Sequence, residues 1–143
     1  MSAGLQSRPI LLVEDNPVDL DLTLRAFRRH NLANPIDIAR DGQEALDRIP
    51  RWEAGEALPL VILLDIKLPR VSGLEVLQHL RSHPVSRHIP IVMLTSSEED
   101  RDVSLAYAYF ANSYIVKPVN FDHLMDVADQ IKSYWCLVNH PPH

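Results

Sequence analysis

A chain of 143 residues fits one domain, and a domain of this size can bury about two-thirds of the surface that its unfolded chain exposes. Hydrophobic residues make up 46% and charged residues 23% of the sequence, which is typical of a globular protein without a membrane span. The net charge of -5 argues against nucleic acid as a partner, while one cysteine and no secretory signal predict a cytoplasmic protein.

Five short apolar runs occur at intervals and are nearly continuous, which predicts strands buried on both faces. They occupy residues 10–13, 36–39, 60–64, 91–94 and 114–116. Segments with helical spacing of apolar residues alternate with them, at residues 20–27, 45–49, 74–80, 103–110 and 124–135. Strict alternation of strand and helix predicts a parallel sheet with right-handed crossovers and helices on both faces.

Cap signals support the predicted helix starts. Asn16-Pro17 supplies an N-cap and a first-turn proline. Three further starts have a cap residue followed three positions later by an acid: Asp41 with Glu44, Ser72 with Glu75, and Ser97 with Asp100. Residues 51–59 form the one longer connection, and no repeat or linker divides the chain. We therefore expect a single domain over residues 1–143.

Polar residues follow four of the predicted strands: Glu14-Asp15, Asp65, Thr95 and Lys117. Ligands of open parallel sheets bind beyond the carboxyl ends of the strands, so these side chains should converge on one edge. Each residue alone could be a solvated strand end, but the joint pattern favours a site. Three carboxylates within about 5 Å repel by roughly 3 kcal/mol per pair at an effective dielectric of 20. Lys117 and a hard divalent cation, Mg²⁺ or Mn²⁺, would supply the compensating charge.

The sequence resembles the receiver domains of bacterial two-component systems over about residues 8–135. The resemblance rests on the motifs LLVEDN, LLDIKLPRVSGLEVL, IVMLTSS and SYIVKPV. It implies a flavodoxin-like, doubly wound α/β fold with a five-stranded parallel sheet in the order 2-1-3-4-5 and five helices. Residues 136–143 would then form a C-terminal tail.

The resemblance also implies a phosphoacceptor and a metal site. Asp65 would accept a phosphoryl group from a sensor histidine kinase. Glu14, Asp15, Asp65 and the backbone carbonyl of Lys67 would bind the metal. The Lys67 side chain departs from the smaller polar residue common in the family, and its long stem could reach either solvent or the phosphoryl oxygens.

The resemblance also implies roles for three residues in or directly after the last two predicted strands. Thr95 would be the switch hydroxyl that contacts the phosphoryl group, and Lys117 its counter-ion. Tyr114 matches an aromatic position that rotates inward when the switch residue moves. The alternative for Tyr114 is a half-exposed strand tyrosine without a function.

Two other functions are possible on this architecture. An aspartyl-phosphate phosphatase for small esters would need a general acid where Lys67 stands, so we expect no enzyme beyond self-catalysed phosphotransfer and autodephosphorylation. A nucleotide- or flavin-binding module would need a glycine-containing loop after the first strand, whereas residues 14–17 are acidic and lack glycine. His79 and His83 have the spacing of a two-ligand metal site, but without a third ligand nearby they indicate a solvated helix face.

The expected partners are proteins. A receiver without an output domain must signal by binding another protein, and the closing segment IKSYWCLVNHPP is similar to small receivers paired with bacterial phytochrome kinases. We also expect a homodimer on the face formed by the fourth helix, fifth strand and fifth helix. Tyr107, Tyr109 and Phe110 cannot all lie on the one face of the fourth helix that packs against the domain, so part of this aromatic surface should contact a partner. The chain end adds further apolar residues: Trp135, Leu137 and Val138. The alternative, a tail folded back onto its own domain, stays open.

Overall fold

The computed structural model describes residues 8–29, 34–95, 104–106, 108–109 and 111–116, and the single positions 122, 126 and 129. Its centre is a parallel sheet of five strands in the order β2-β1-β3-β4-β5. The strands are β1 (Ile10–Val13), β2 (Ile36–Ala39), β3 (Val61–Asp65), β4 (Ile91–Thr95) and β5 (Ser113–Val116). The predicted α/β class and strand order are confirmed.

The register of the sheet determines which strand ends meet. β1 pairs with β3 so that Val13 lies opposite Leu64. The next residues, Glu14 and Asp65, therefore lie side by side at the carboxyl edge of the sheet. Every residue of these two strands is buried, whereas only Ala39 of β2 is fully buried, as expected for an edge strand. Glu14 and Asp65 thus stand at the ends of two fully buried strands.

Four helices of the described chain cover the two faces of the sheet: α1 (Pro17–Arg29), α2 (Gly42–Leu46), α3 (Arg48–Glu53) and α4 (Gly73–Ser82). Alternate residues of β1 point to opposite faces. Leu11 and Val13 join the core beneath α2, α3 and α4, which also contains Trp52. Ile10 and Leu12 join a second core, which includes Leu20 and Phe27 of α1. Helices on both faces are the doubly wound arrangement that the alternating sequence pattern predicts.

Three of the predicted helix caps are present. Asn16 Oδ1 accepts hydrogen bonds from the Val18 and Asp19 backbone N–H groups at 2.9 and 3.1 Å. Asp41 accepts from Glu44 N at 2.8 Å, and the Ser72 hydroxyl accepts from Glu75 N at 3.3 Å. The fourth predicted cap, at residues 97–100, lies outside the described residues.

The second predicted helix is divided into α2 and α3, with Asp47 between them. Pro50 explains the division, because it has no N–H to donate to the Leu46 carbonyl and its ring crowds that carbonyl. The longer connection that we predicted over residues 51–59 was placed too early. α3 continues to Glu53, so the connection begins at Ala54.

The predicted helices at 103–110 and 124–135 fall largely outside the described residues. Positions 104–106, 108, 122, 126 and 129 are helical. Tyr109 packs partly against the core on the α2, α3 and α4 side, so some of the expected aromatic surface is covered by the domain itself. Within the part of the chain that is described, no helix combines the length and the apolar character needed to cross a membrane.

Candidate functional site

Three carboxylates meet where β1 and β3 end, and we call Glu14, Asp15 and Asp65 the acidic corner. One oxygen from each lies within 4.8 Å of the others. Glu14 is fully buried and Asp65 is 3% exposed, whereas Asp15 is exposed to solvent. The convergence expected from the sequence is therefore present, and two of its three acids are enclosed by protein.

Backbone N–H groups hold two of these carboxylates in place. Glu14 Oε2 accepts a hydrogen bond from Asn16 N at 3.1 Å, and Asn16 in turn caps α1. Asp65 Oδ1 accepts from Lys67 N at 3.2 Å. Both bonds run from a residue two positions later in the chain, so each strand end turns sharply around its own acid. The carboxylates are consequently fixed relative to the sheet rather than free to separate.

The acidic corner has the chemistry of a hard-cation site. Carboxylates 4.8 Å apart repel by about 3 kcal/mol per pair at an effective dielectric of 20, and burial of Glu14 and Asp65 limits screening by water. Oxygen-only ligands suit Mg²⁺, Mn²⁺ or Ca²⁺ and do not suit metals that prefer sulfur or imidazole. The donor set, the spacing and the exposed approach through Asp15 all fit a divalent metal ion.

Thr95 lies at the same edge of the sheet as the acidic corner. It ends β4, directly after Leu94, which pairs with Asp65 in the register of the sheet. It also pairs with Val116 of β5, the residue before Lys117. The Lys117 prediction lies outside the described residues. The role of Thr95 as a switch hydroxyl stays a prediction.

Tyr114 lies on β5 opposite Met93 and is 37% exposed. This exposure is compatible with a ring that changes position and also with an ordinary strand tyrosine at the edge of a sheet. Lys67 is exposed, as its long polar side chain predicts, and only its backbone N–H is seen to contact Asp65.

Two glycines, which the sequence analysis missed, allow helices to approach the loop that follows Asp65. A Cβ atom on Gly73 would lie 2.0 Å from the Asp65 carbonyl oxygen, and one on Gly42 would lie 2.0 Å from the Val71 carbonyl oxygen. Gly73 N also donates to Ile66 O at 2.7 Å. Each glycine directly follows a cap residue, and the Asp-Gly and Ser-Gly pairs were the available signal.

Arg70 is a second feature that the sequence did not reveal. Its φ of 71° is the one positive φ among the described non-glycine residues. Its guanidinium lies 3.6 Å from Asp41 Oδ2, next to the start of α2. Together with Gly42, this ion pair joins the loop after Asp65 to the segment that follows β2, two strands away in the sheet.

His79 and His83 lie one turn apart, with ring centroids 6.4 Å from each other. His83 Nδ1 lies 2.7 Å from the His79 carbonyl oxygen. The described part of the chain contains no group of three metal-ligating side chains that includes either histidine. His79 is on α4, whereas His83 is the residue that directly follows this helix.

Comparison with known proteins identifies the family. The sequence matches the response regulator receiver domain family over residues 10–129. It is 42% identical to the probable methanogenesis regulatory protein FilR2 of Methanothrix harundinacea, over 93% of this chain and 86% of that protein. It is 34% identical to the response regulator Rcp1 of Synechocystis, over 88% of this chain and 87% of that protein.

Solved structures lead to the same family. The bacteriophytochrome response regulator AtBRR is 47% identical, with a TM-score of 0.75 over 93% of this chain and 98% of that one. The phosphorylated cyanobacterial phytochrome response regulator RcpA is 32% identical, with a TM-score of 0.79 over 93% and 96%. The Mn²⁺-bound form of Rcp1 is 32% identical, with a TM-score of 0.76 over 95% and 99%. The chain therefore belongs to the response regulator receiver domain family, which carries out two-component signalling.

Proposed function

We propose that Asp65 accepts a phosphoryl group from a sensor histidine kinase and that the phosphorylated chain signals by binding another protein. The observation that carries this proposal is the convergence of Glu14, Asp15 and Asp65 within 4.8 Å at the carboxyl edge of the sheet. Membership of the receiver family and the solved phosphorylated RcpA support it.

The metal is best assigned as Mg²⁺, with Mn²⁺ as the alternative. Glu14, Asp15, Asp65 and the backbone carbonyl of Lys67 would hold it, which is a mixed oxygen set suited to either ion. A bound ion would offset the repulsion between the acidic corner and an incoming phosphoryl group. The Mn²⁺-bound Rcp1 structure supports a divalent ion in a similar chain.

Asp65 supplies the nucleophile. One carboxylate oxygen forms the new O–P bond while the P–N bond to the kinase histidine breaks, and the electron pair of that bond returns to the imidazole nitrogen. The Lys67 N–H contact at 3.2 Å orients the carboxylate for in-line attack. Lys117 would neutralise charge on the phosphoryl oxygens. Lys67 stands where an aspartyl-phosphate phosphatase would need its general acid, so we propose a signalling domain rather than a turnover enzyme.

Phosphorylation would act on Thr95 and Tyr114. The phosphoryl group can bias a conformational equilibrium only through contacts that differ between the two states, and the Thr95 hydroxyl at the end of β4 is the nearest candidate. Movement of Thr95 would open space for the Tyr114 ring, which is already half-exposed on the adjacent strand.

The kinase partner would be a bacteriophytochrome. Support comes from the likeness to bacteriophytochrome response regulators at 47% and 48% identity. The receiver would act in the cytoplasm and as a homodimer. Tyr107, Phe110 and the chain end, which suggested the dimer, lie outside the described residues. Sedimentation of the full chain should show a dimer, and a monomer at tens of micromolar, phosphorylated or not, would rule the dimer out.

Treatment with acetyl phosphate and Mg²⁺, followed by intact mass measurement, tests the phosphoacceptor. We expect one added phosphoryl group on the parent and on the control variant Asp47→Asn. This control removes an exposed carboxylate between α2 and α3. Asp65→Asn should gain none, because an amide cannot form the acyl phosphate. Unchanged labelling of Asp65→Asn would disprove the assignment.

A purified bacteriophytochrome kinase and an unrelated sensor kinase, each labelled on its histidine, test the partner. Faster transfer from the bacteriophytochrome is expected. Equal transfer rates would leave the phosphoacceptor in place and remove the phytochrome link.

A further inference from the structure

A group of basic and amide side chains lies at the edge of the sheet opposite the acidic corner, where β4 and β5 begin. Arg81 belongs to the last turn of α4, Arg87 and His88 precede β4, and Asn112 precedes β5. These four residues line an open cavity of about 380 Å³, which we call the basic cavity. No carboxylate lines it in the described part of the chain.

Arg81 forms a fixed wall of the basic cavity. Its guanidinium donates to the backbone carbonyls of Arg87 and Ile89 at 3.1 and 2.7 Å, and to Asn112 Oδ1 at 3.1 Å. Burial lowers the pKa of Arg81 from its ordinary value, because desolvation disfavours the charged form. The cation is thus held in place at the junction of three chain segments.

Asn112 adds hydrogen-bond donors to this wall. Its Oδ1 accepts from both Arg81 and the Ile91 backbone N–H, the latter at 2.8 Å. Both bonds use the carbonyl oxygen of the side-chain amide, so neither of them involves the Nδ2 hydrogens. These two hydrogens are the donors that Asn112 could offer to a ligand.

Arg87 supplies a second positive charge at the rim, and the His88 imidazole adds a ring nitrogen that can form hydrogen bonds. Both are exposed, and neither side chain makes an ion pair or hydrogen bond with another described residue. Two other exposed arginines have a carboxylate partner: Arg25 pairs with Asp21 at 3.0 Å, and Arg51 pairs with Glu56 at 2.8 Å. In a chain of net charge -5, cations gathered around one cavity without a lining acid indicate a site for an anion.

We propose that the basic cavity binds a small molecule that carries a phosphate or carboxylate group. Guanidinium groups and an amide can bind the oxygens of such an anion through several N–H donors at once. The volume of about 380 Å³ lies at the small end of the range for ligand pockets, which fits a compact organic acid or phosphate ester. This site is separate from the phosphoacceptor and does not depend on its assignment.

NMR titration of the full chain with inorganic phosphate and, separately, with citrate tests the proposal. The titrations are run without added divalent metal and at constant ionic strength, with chloride as the reference anion. We expect saturable shifts at the backbone amides near Arg87, His88 and Asn112 and at the Asn112 side-chain amide. Binding of phosphate alone or citrate alone identifies the preferred anion.

Substitutions at the rim separate a specific site from general attraction. Arg87→Gln should weaken binding about two- to fivefold, the size typical of one partly exposed charge pair. His88→Ala removes the ring nitrogens and should also weaken binding. Arg51→Gln removes an equal charge elsewhere and should leave binding unchanged. Shifts that do not saturate, or affinities that are equal in the parent and both rim variants, would overturn the proposal.

Discussion

Asp37 and Asp65 lie two strands apart in the same sheet, and their carboxylates have opposite surroundings. Asp37 receives two hydrogen bonds from Arg48, at 2.8 and 3.1 Å, and the guanidinium lowers the pKa of this carboxyl. Asp65 instead lies within 4.8 Å of two further carboxylates, Glu14 and Asp15. Asp37 is paired with the Arg48 guanidinium, whereas Asp65 lies among other carboxylates.

The difference separates an acid that stabilises the fold from a group of acids that fits a divalent metal ion. Arg48 also donates to the Ile38 and Glu44 carbonyls, so its pair with Asp37 joins α2 and α3 to the edge strand. The three charges of the acidic corner exceed the single Lys117 ammonium that the sequence predicts there. Their repulsion would oppose folding, and a bound cation would relieve it, as expected for carboxylates that form a metal site.

The largest effect is expected from Arg48→Ala. It leaves Asp37 without its partner and removes bonds to two carbonyls, which should lower the free energy of unfolding by about 2 kcal/mol, allowing for the partial exposure of Asp37. Arg51→Ala removes the exposed pair with Glu56 and should cost about 0.5 kcal/mol. Urea unfolding measures both. Equal losses would show that the Asp37–Arg48 pair is no different from a surface pair.

The pH dependence of the free energy of unfolding distinguishes Asp37 from other acids. Because the pKa of Asp37 is lowered in the folded state from its ordinary value of about 3.8, its contribution to stability is present above that value and is lost as the pH falls through the folded pKa. Between about pH 5 and pH 2, the parent should lose about 1 kcal/mol more than Asp37→Asn, after allowance for solvent screening. Glu53→Gln, which removes an exposed acid, should follow the parent. Parallel curves for parent and Asp37→Asn would contradict the assignment.

Arg70 connects the loop after Asp65 to the segment after β2, and its substitution should have the smallest effect on stability. Arg70→Gly relieves a left-handed conformation worth about 1 kcal/mol but loses a weak ion pair with Asp41, for a net gain of about 0.5 kcal/mol. Arg70→Ala loses the pair and keeps the strain, so it should be slightly less stable than the parent. Thermal unfolding compares the three proteins. Equal stability of the glycine and alanine variants would mean that no strain is stored at this position.

The central part of the fold and of the site could be predicted because it depends on local pattern. Continuous apolar runs predicted the strands, and parallel pairing then placed Glu14 beside Asp65. The break at Asp47 was also readable, since Pro50 lacks the N–H that a continuous helix needs. It was missed because apolar spacing alone suggested one helix.

Other features could not be predicted because they depend on how distant segments approach. Gly42 and Gly73 matter only because helix starts press against the loop after Asp65. The φ of Arg70 follows from the path of that loop. The basic cavity likewise requires α4, β4 and β5 to meet, and no single sequence motif marks it. The roles of Lys67, Thr95, Tyr114 and Lys117 stay predictions.

Unfolding with and without Mg²⁺, in the parent, Asp15→Asn and Asp37→Asn, tests the contrast between the two kinds of acid most directly. At ten times its Kd, Mg²⁺ should stabilise the parent by about 1.4 kcal/mol. Asp37→Asn should be less stable than the parent yet gain the same amount. Asp15→Asn should be about 1 kcal/mol more stable than the parent without metal, because one repulsive charge is gone, and should gain little from Mg²⁺. An Asp15→Asn protein that is destabilised without metal and responds to Mg²⁺ as the parent does would contradict the account.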